Sequence, residues 1–369
     1  MKKLISQCKK ELRQFVRDKL TVALAFVLPL LSLMLFGYGV RLEIKNISLV
    51  VQNFDQGALS RDLIDRIYNN SQFDAHAWQG SHPLEDAMDK GYAKAAVIIP
   101  PDFSRTLASG RQAHFQVLVD ATDVNNARVI KNGILATTNR FMTDNRLIDN
   151  SNPVFDSDIR LWFNPGRKES LYVVPGALAV CLWIYPSLLA ALAMVREKES
   201  GTILQVYASS ITAVEFIGGK VLAYMFIGIL EALFLIVISM FCFGLRFVGD
   251  PTPYILGVLL FILSAVSFGT MIGTRTNSQS SAVQAVAMGG FTTALLLSGY
   301  LYPIRNIIYP LSYVTVMVPA RWFVQLSRDA FVRGGGWVYD WYLPLFLALG
   351  AVFFFNIARK NLTKMQLKI

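Results

Sequence analysis

Six stretches of mostly apolar residues, at positions 20–40, 171–195, 216–245, 254–272, 282–301 and 341–358, dominate the sequence. Each is close to the roughly 20 residues that a helix needs to cross a bilayer. A hydrocarbon core offers no water to unpaired peptide groups, so only helices or closed barrels can span it. With 54% hydrophobic and 16% charged residues over 369 positions and a mean hydropathy of +0.43, a soluble domain is excluded. The expected fold class is an α-helical membrane protein with six transmembrane helices, the first at residues 20–40.

The net charge of +10 does not mark a nucleic-acid binder, because the cations are not spread over a face with interleaved aromatics. They flank the apolar runs instead: Lys2, Lys3, Lys9, Lys10, Arg13, Arg17 and Lys19 precede the first, and Arg359, Lys360, Lys364 and Lys368 follow the last. The positive-inside rule then places both termini in the cytoplasm, as an even number of crossings requires. The first run is too long for the apolar part of a cleaved leader and reads as a span. Ahead of it, residues 1–19 place Leu4, Ile5, Cys8, Leu12, Phe15 and Val16 on one helical face with the cations opposite, which predicts an amphipathic helix lying in the cytoplasmic interface.

Residues 41–170 change character and read as an inserted extracytoplasmic α/β domain between the first two spans. "ISLVV" (47–51), "AAVIIP" (95–100) and "HFQVLVD" (114–120) have strand composition, with a weaker candidate at 73–78. Ser60 and Ser81 are expected to cap helices, a third helix follows Phe103, and a long one covers about 125–150. His76, His82 and His114 lack the spacing of paired metal ligands on one element, so no metal is expected. Asp55, Asp120 and Asp123 each follow a strand and read as turn residues. The cysteines, Cys8, Cys181 and Cys242, all lie outside this domain, which therefore has no disulfide.

Residues 303–338 are apolar but cut by Pro310 and Pro319 and carry Arg305, Arg321, Arg328, Asp329 and Arg333. No uninterrupted piece is long enough to cross, and we expect two short re-entrant helices in the outer leaflet with Gly334–Gly336 as the hinge into the sixth span. An amphipathic surface loop is the alternative. Glu231 is the single acid well inside a span; it either lines a pathway or gate, or makes a packing contact with a hydroxyl or arginine of a neighbouring helix.

The stretch "MVREKESGTILQVYASSITAVEFIGGK" (194–220) falls between the second and third spans, on the cytoplasmic side by parity. Thr202 and Gln205 have capping-box spacing, Gly201 allows a sharp reversal, and Ile203, Val206 and Tyr207 form one short apolar face at i, i+3 and i+4. Such a face implies docking into a groove on a partner, with Arg196, Glu197, Lys198 and Glu199 as its polar rim.

The residues "REKESGTILQVYASSIT" resemble the R-E-x-x-G-T-x-x-x-L-x-x-S-P-[LI]-T signature of permease subunits of ABC-2 type exporters, with Val206 for the usual Leu and Ser210 for the usual Pro. "LWFNPGRKESLYVVPG" (161–176), "LLSGYLYPIRNI" (296–307) and "VPARWFVQLSRDAFVRG" (318–334) are similar to further segments of that family. "VVQNFDQGALSRDLIDRI" (50–67) and "AAVIIPPDFSRTLASGR" (95–111) resemble the large periplasmic domain of its multidrug-efflux subgroup. The resemblance implies that residues 196–212 form a coupling helix that meets an ATPase. Two such permeases, identical or paralogous, would work with two ATPase subunits in a bacterial inner membrane, with a periplasmic membrane-fusion adaptor as a further partner. ATP and Mg would be held by the ATPase, since no G-x-x-x-x-G-K-[ST] loop occurs in this sequence and "GGKV" at 218 lacks its flanking residues. A secondary transporter would account for the spans and Glu231 but not for the docking face. A receptor would account for the outer domain but lacks a signalling domain.

Overall fold

The computed structural model describes residues 2–39, 46–78, 87–88, 90–120, 124–145, 147, 163–164, 168–203 and 211–365. The chain divides into two compact units, residues 41–159 and the remainder. The smaller contains β1 (Ile47–Asn53), α3 (Ala58–Tyr68), β2 (Phe73–Ala77), β3 (Ala95–Ile99), α4 (Phe103–Ala108), β4 (Gln116–Val119) and α5 (Val124–Asp144). Its strands form a sheet in the order β2-β1-β3-β4, with β1 parallel to β2 and β3, and β4 antiparallel to β3. Ile47, Leu49 and Val51 of β1 enter one core and Val50 enters another on the opposite face. Burial on both faces explains why this strand reads as an unbroken apolar run.

Local details differ from expectation. α3 begins at Ala58, so Ser60 is not its cap; it is buried in the first turn and its hydroxyl donates to the Gly57 carbonyl at 3.0 Å. Asp55 takes its turn role, accepting from the Gly57 amide at 3.1 Å and from the Ser104 hydroxyl. Asp120 pairs with Lys94 at 2.8 Å, and His76 stands exposed beside Asp74. Asp123, His82 and the helix expected at Ser81 lie outside the described residues.

The larger unit starts with α1 (Lys2–Arg17) and α2 (Lys19–Gly39) and continues with α6 (Ser170–Glu199), α7 (Ala213–Phe243) and α8 (Thr252–Arg275). α9 (Gln279–Val286), a π turn (Ala287–Phe291) and α10 (Thr292–Leu296) follow, and after shorter pieces the last described helix is α14 (Tyr342–Met365). Among the described residues, five helices are long and apolar enough to cross a membrane: α2, α6, α7, α8 and the last. The fifth apolar run is not one of them. Gly289 and Gly290 weaken the helix at its centre, and the Thr293 hydroxyl bonds back to their carbonyls at 2.6 and 3.0 Å, where the α ladder widens into the π turn.

α6 lies at the centre, buried on almost all sides, while α2 and α14 expose most of their surface. Its tightest neighbour is α8, whose "GTMIG" (269–273) brings two glycines to one face, the small-xxx-small spacing that lets membrane helices approach closely. A Cβ on Gly269 would sit 1.9 Å from the Ser187 carbonyl oxygen, and one on Gly273 would be 2.8 Å from that of Ala191. The Ser187 hydroxyl crosses the same seam to the Ala265 carbonyl at 2.8 Å. Gly269→Ala should therefore lower stability by about 1–3 kcal/mol or more, as overpacking against a backbone that cannot yield does. Gly289→Ala, where a Cβ meets only the edge of Phe268 at 3.7 Å, should not. Thermal unfolding of the purified protein in detergent measures the difference.

Residues 303–338 fold into short pieces, α11 (Leu311–Val314), α12 (Pro319–Arg328), which runs directly into a π turn (Asp329–Arg333), and α13 (Trp337–Asp340). Gly334 and Gly336 have φ of 75° and 66°, a region costly for other residues.

Candidate functional site

The four charges that end α6 do not form a free rim. Successive helical residues are rotated by about 100°, so four in a row point in all directions, and α6 has a neighbour in each. Arg196 pairs with Asp18 at 3.0 Å and donates to the Thr21 hydroxyl at 3.2 Å, meeting the start of α2. Asp18 itself caps that helix through the Thr21 amide, and hydrogen bonds from Thr21, with the Arg196 guanidinium beside them, hold its carboxyl below the usual range. Glu197 takes Lys10 of α1 at 2.6 Å and Lys220 of α7 at 3.4 Å. Lys198 donates to the carbonyls of Gly273, Thr274 and Thr276 at 2.7–2.9 Å, closing the C-terminus of α8 where a cation is favoured. Glu199 accepts from the Gln279 amide at 2.7 Å at the start of α9, where an anion is favoured.

Lys220 is the hub that sequence reading missed. Its ammonium reaches Glu11 at 2.7 Å and the Ala193 carbonyl at 3.2 Å, and the Lys220 and Glu11 side chains are only 2% and 3% exposed. Gln7 completes the set by donating to Glu11 at 3.0 Å. α1 can come this close because Gly218 and Gly219 offer no side chain; a Cβ on Gly219 would stand 2.7 Å from that of Gln7. The buried face of α1 is therefore Gln7, Glu11 and Phe15, flanked by Leu4, Cys8 and Leu12, while Ile5 and Val16 point outward. The expected apolar face is rotated by about one position, since α7 offers a cation and claims the polar residues. The readable signal was Glu11 itself, set among Leu4, Cys8 and Phe15 at helical spacing, with Gln7 one turn before it.

The chain leaves α6 through Ser200 and Gly201, whose φ of 69° gives the expected reversal. The Thr202 hydroxyl turns back to the Glu197 carbonyl at 3.3 Å, so it serves the end of α6. Gln205, the other half of the expected capping box, is outside the described residues, and the box that the structure does contain is Thr212 with Glu215 at the start of α7. Ile203 is buried in the chain's own core, so it does not belong to a free docking face. Val206 and Tyr207 are outside the described residues.

Glu231 is fully buried in α7, and among the described residues neither carboxyl oxygen has a hydrogen-bond partner. Among the described residues no hydroxyl or arginine makes the expected packing contact. Close by, the Cys181 thiol of α6 points at the Pro29 carbonyl of α2, and the Tyr185 and Ser32 hydroxyls pair at 2.5 Å. Polar groups from three helices thus gather where α2, α6 and α7 meet.

The sequence model described as "ABC-2 family transporter protein" matches residues 20–360. The "Probable multidrug ABC transporter permease YbhS" of Escherichia coli (strain K12) is 29% identical over 354 residues, covering 95% of this chain and 94% of that protein. The "Probable multidrug ABC transporter permease YbhR" of the same organism is 26% identical, covering 88% of each chain. The "Inner membrane transport permease YhhJ", also from that organism, is 26% identical over 95% of this chain and 94% of its own length. A match over nearly the whole chain, together with a multi-pass helical unit, places this protein in the ABC-2 family of transporter proteins.

Proposed function

We propose that the chain is the membrane-spanning permease of an ATP-driven exporter, moving a hydrophobic or amphiphilic substrate, drugs among them, out of the inner membrane or cytoplasm. In this reading the helical run from α9 through the π turn to α10 is a sixth crossing, both termini are cytoplasmic, and the α/β unit is periplasmic. Residues 303–338 re-enter the outer leaflet. Two such permeases pair with two ATPase subunits, which hold ATP and Mg, and a periplasmic adaptor continues the route outward.

The observation that carries this reading is the end of α6. A push delivered on residues 204–210 enters a segment bracketed by Glu197 and Lys220, themselves an ion pair. From there Arg196, Glu197, Lys198 and Glu199 pass it to five helices at once, Arg196, Lys198 and Glu199 at the ends of α2, α8 and α9 and Glu197 through Lys10 of α1 and Lys220 of α7. Gly201 provides the hinge, and Thr202 and Ile203 anchor its far side to α6 and the core. Val206 and Tyr207 remain to meet the ATPase, because apolar and aromatic anchors dominate interfaces while charged rims guide docking.

Changing Val206 and Tyr207 together to Asp should leave the permease in the membrane, release the ATPase on affinity purification, and end ATP-driven export from proteoliposomes. A double variant that keeps its ATPase and transports normally overturns the assignment. Transport driven by an ion gradient without ATP would instead identify a secondary transporter.

A further inference from the structure

A cavity of about 550 Å³ opens between α1, the start of α2 and the end of α6, lined by Lys10, Arg13, Gln14, Arg17, Asp18 and Arg196. Four cations face one acid. Lys10 and Arg196 are partly satisfied by Glu197 and Asp18, whereas Arg13 and Arg17 have no acidic partner among the described residues. They stand four residues apart on one helix, an arrangement that repels unless an anion lies between them.

The surroundings identify the kind of anion. Beside the cations, Val16 and Leu20 are 73% and 71% exposed, and the outer face of α2 continues with exposed Val27, Leu31 and Leu35. An apolar track therefore leads from the basic cavity along a membrane span. A ligand that fits both features has a negative head and a hydrocarbon tail. We infer that this cavity binds the phosphodiester headgroup of an anionic phospholipid such as phosphatidylglycerol, with its acyl chains along α2. Basic pockets of this kind at membrane-span ends are known to hold anionic headgroups, and the volume falls within the range of small-ligand sites, about 300–1,000 Å³.

Because Arg196 lines the cavity and also pairs with Asp18, the headgroup contacts the same residue that ties α6 to α2. Lipid charge thereby acts on the joint between α1, α2 and α6. This site is independent of any ATPase and is testable on the permease alone.

The probe is phosphatidylglycerol retained by the full-length purified chain after exchange from mixed phosphatidylcholine and phosphatidylglycerol vesicles, read by native mass spectrometry. Wild type should retain phosphatidylglycerol in preference to phosphatidylcholine. Arg13→Gln with Arg17→Gln should weaken retention roughly 30-fold, at the worth of two interfacial cations. Arg13→Lys with Arg17→Lys should keep it within a few-fold, which guards against a misfolded variant. Lys2→Gln with Lys9→Gln, which removes equal charge from the same helix outside the cavity, should leave retention unchanged.

Equal loss in the Lys2 and Lys9 variant would mean diffuse surface charge and overturn the site. So would displacement of the lipid by inorganic phosphate alone at comparable concentration, which would mark a site for free anions. Loss of a bound ATPase from the Arg13 and Arg17 variant in pure phosphatidylcholine, with phosphatidylglycerol retention intact, would assign the cavity to the partner protein instead.

Discussion

Lys220→Met should destabilise the permease by about 3–5 kcal/mol, the usual result of removing one partner from a buried ion pair. Lys220 and Glu11 are almost wholly buried, and among the described residues the substitution leaves Glu11 with only Gln7 and Glu197 with only Lys10. The expected signs are a lower unfolding temperature in detergent and less protein in the membrane. Lys220→Met combined with Glu11→Leu removes both charges of the pair and fills their space with apolar groups, so most of the stability should return. Export should not return with it, because Glu197 then holds α1 only through Lys10, and α7 no longer shares in the joint. Thermal unfolding and ATP-driven transport measured on the same two preparations separate these effects. A double variant that is stable and transports like wild type would show that the ion cluster serves packing alone.

Glu231→Leu should do the opposite, raising stability while lowering transport. Both carboxyl oxygens are buried without a partner among the described residues, a state that costs several kcal/mol within a membrane. Removing the carboxyl should recover about 1–3 kcal/mol of that cost. Natural proteins keep such a group where activity needs it, and the trade of stability for activity is its mark. Glu231→Gln retains shape and polarity but cannot ionise; it should insert normally yet reduce export roughly tenfold or more, as expected if the transport step uses an ionisable group within the span. Unfolding temperature, membrane level and export measured together are the test. If Gln transports as wild type does and Leu loses stability, the side chain is a packing element and not part of the pathway or gate.

Much of the architecture was legible because it depends on local composition. The runs beginning at residues 20, 171, 216 and 254 appear as helices beginning within three residues of those positions. The weak strand at Phe73 pairs in the sheet as its residues suggested. The π turn in the fifth run was missed because a count of apolar residues is blind to Gly289, Gly290 and Thr293, whose effect lies in the backbone ladder. Ile203 was misread because an apolar face has the same spacing whether it meets a partner or its own core. The charges 196–199 looked like a solvated rim because nothing in their order says that α6 is surrounded.

Taken alone, the sequence located the five helices that, among the described residues, are long and apolar enough to cross a membrane, and most of the α/β unit, since removing about 20 apolar residues from water is a local property that outweighs distant contacts. It also placed Gly201 at a reversal and Glu231 inside a span. Only the tertiary structure decided what the charges do. Lys10 and Glu197 are 187 residues apart, and Glu11 and Lys220 are 209 apart. A buried charge is costly unless a partner stands at about 3 Å, and which residue supplies it depends on the helices that pack around α6. That choice is made by close contacts such as Gly219 against Gln7 and Gly269 against Ser187, which exist only once the helices have met.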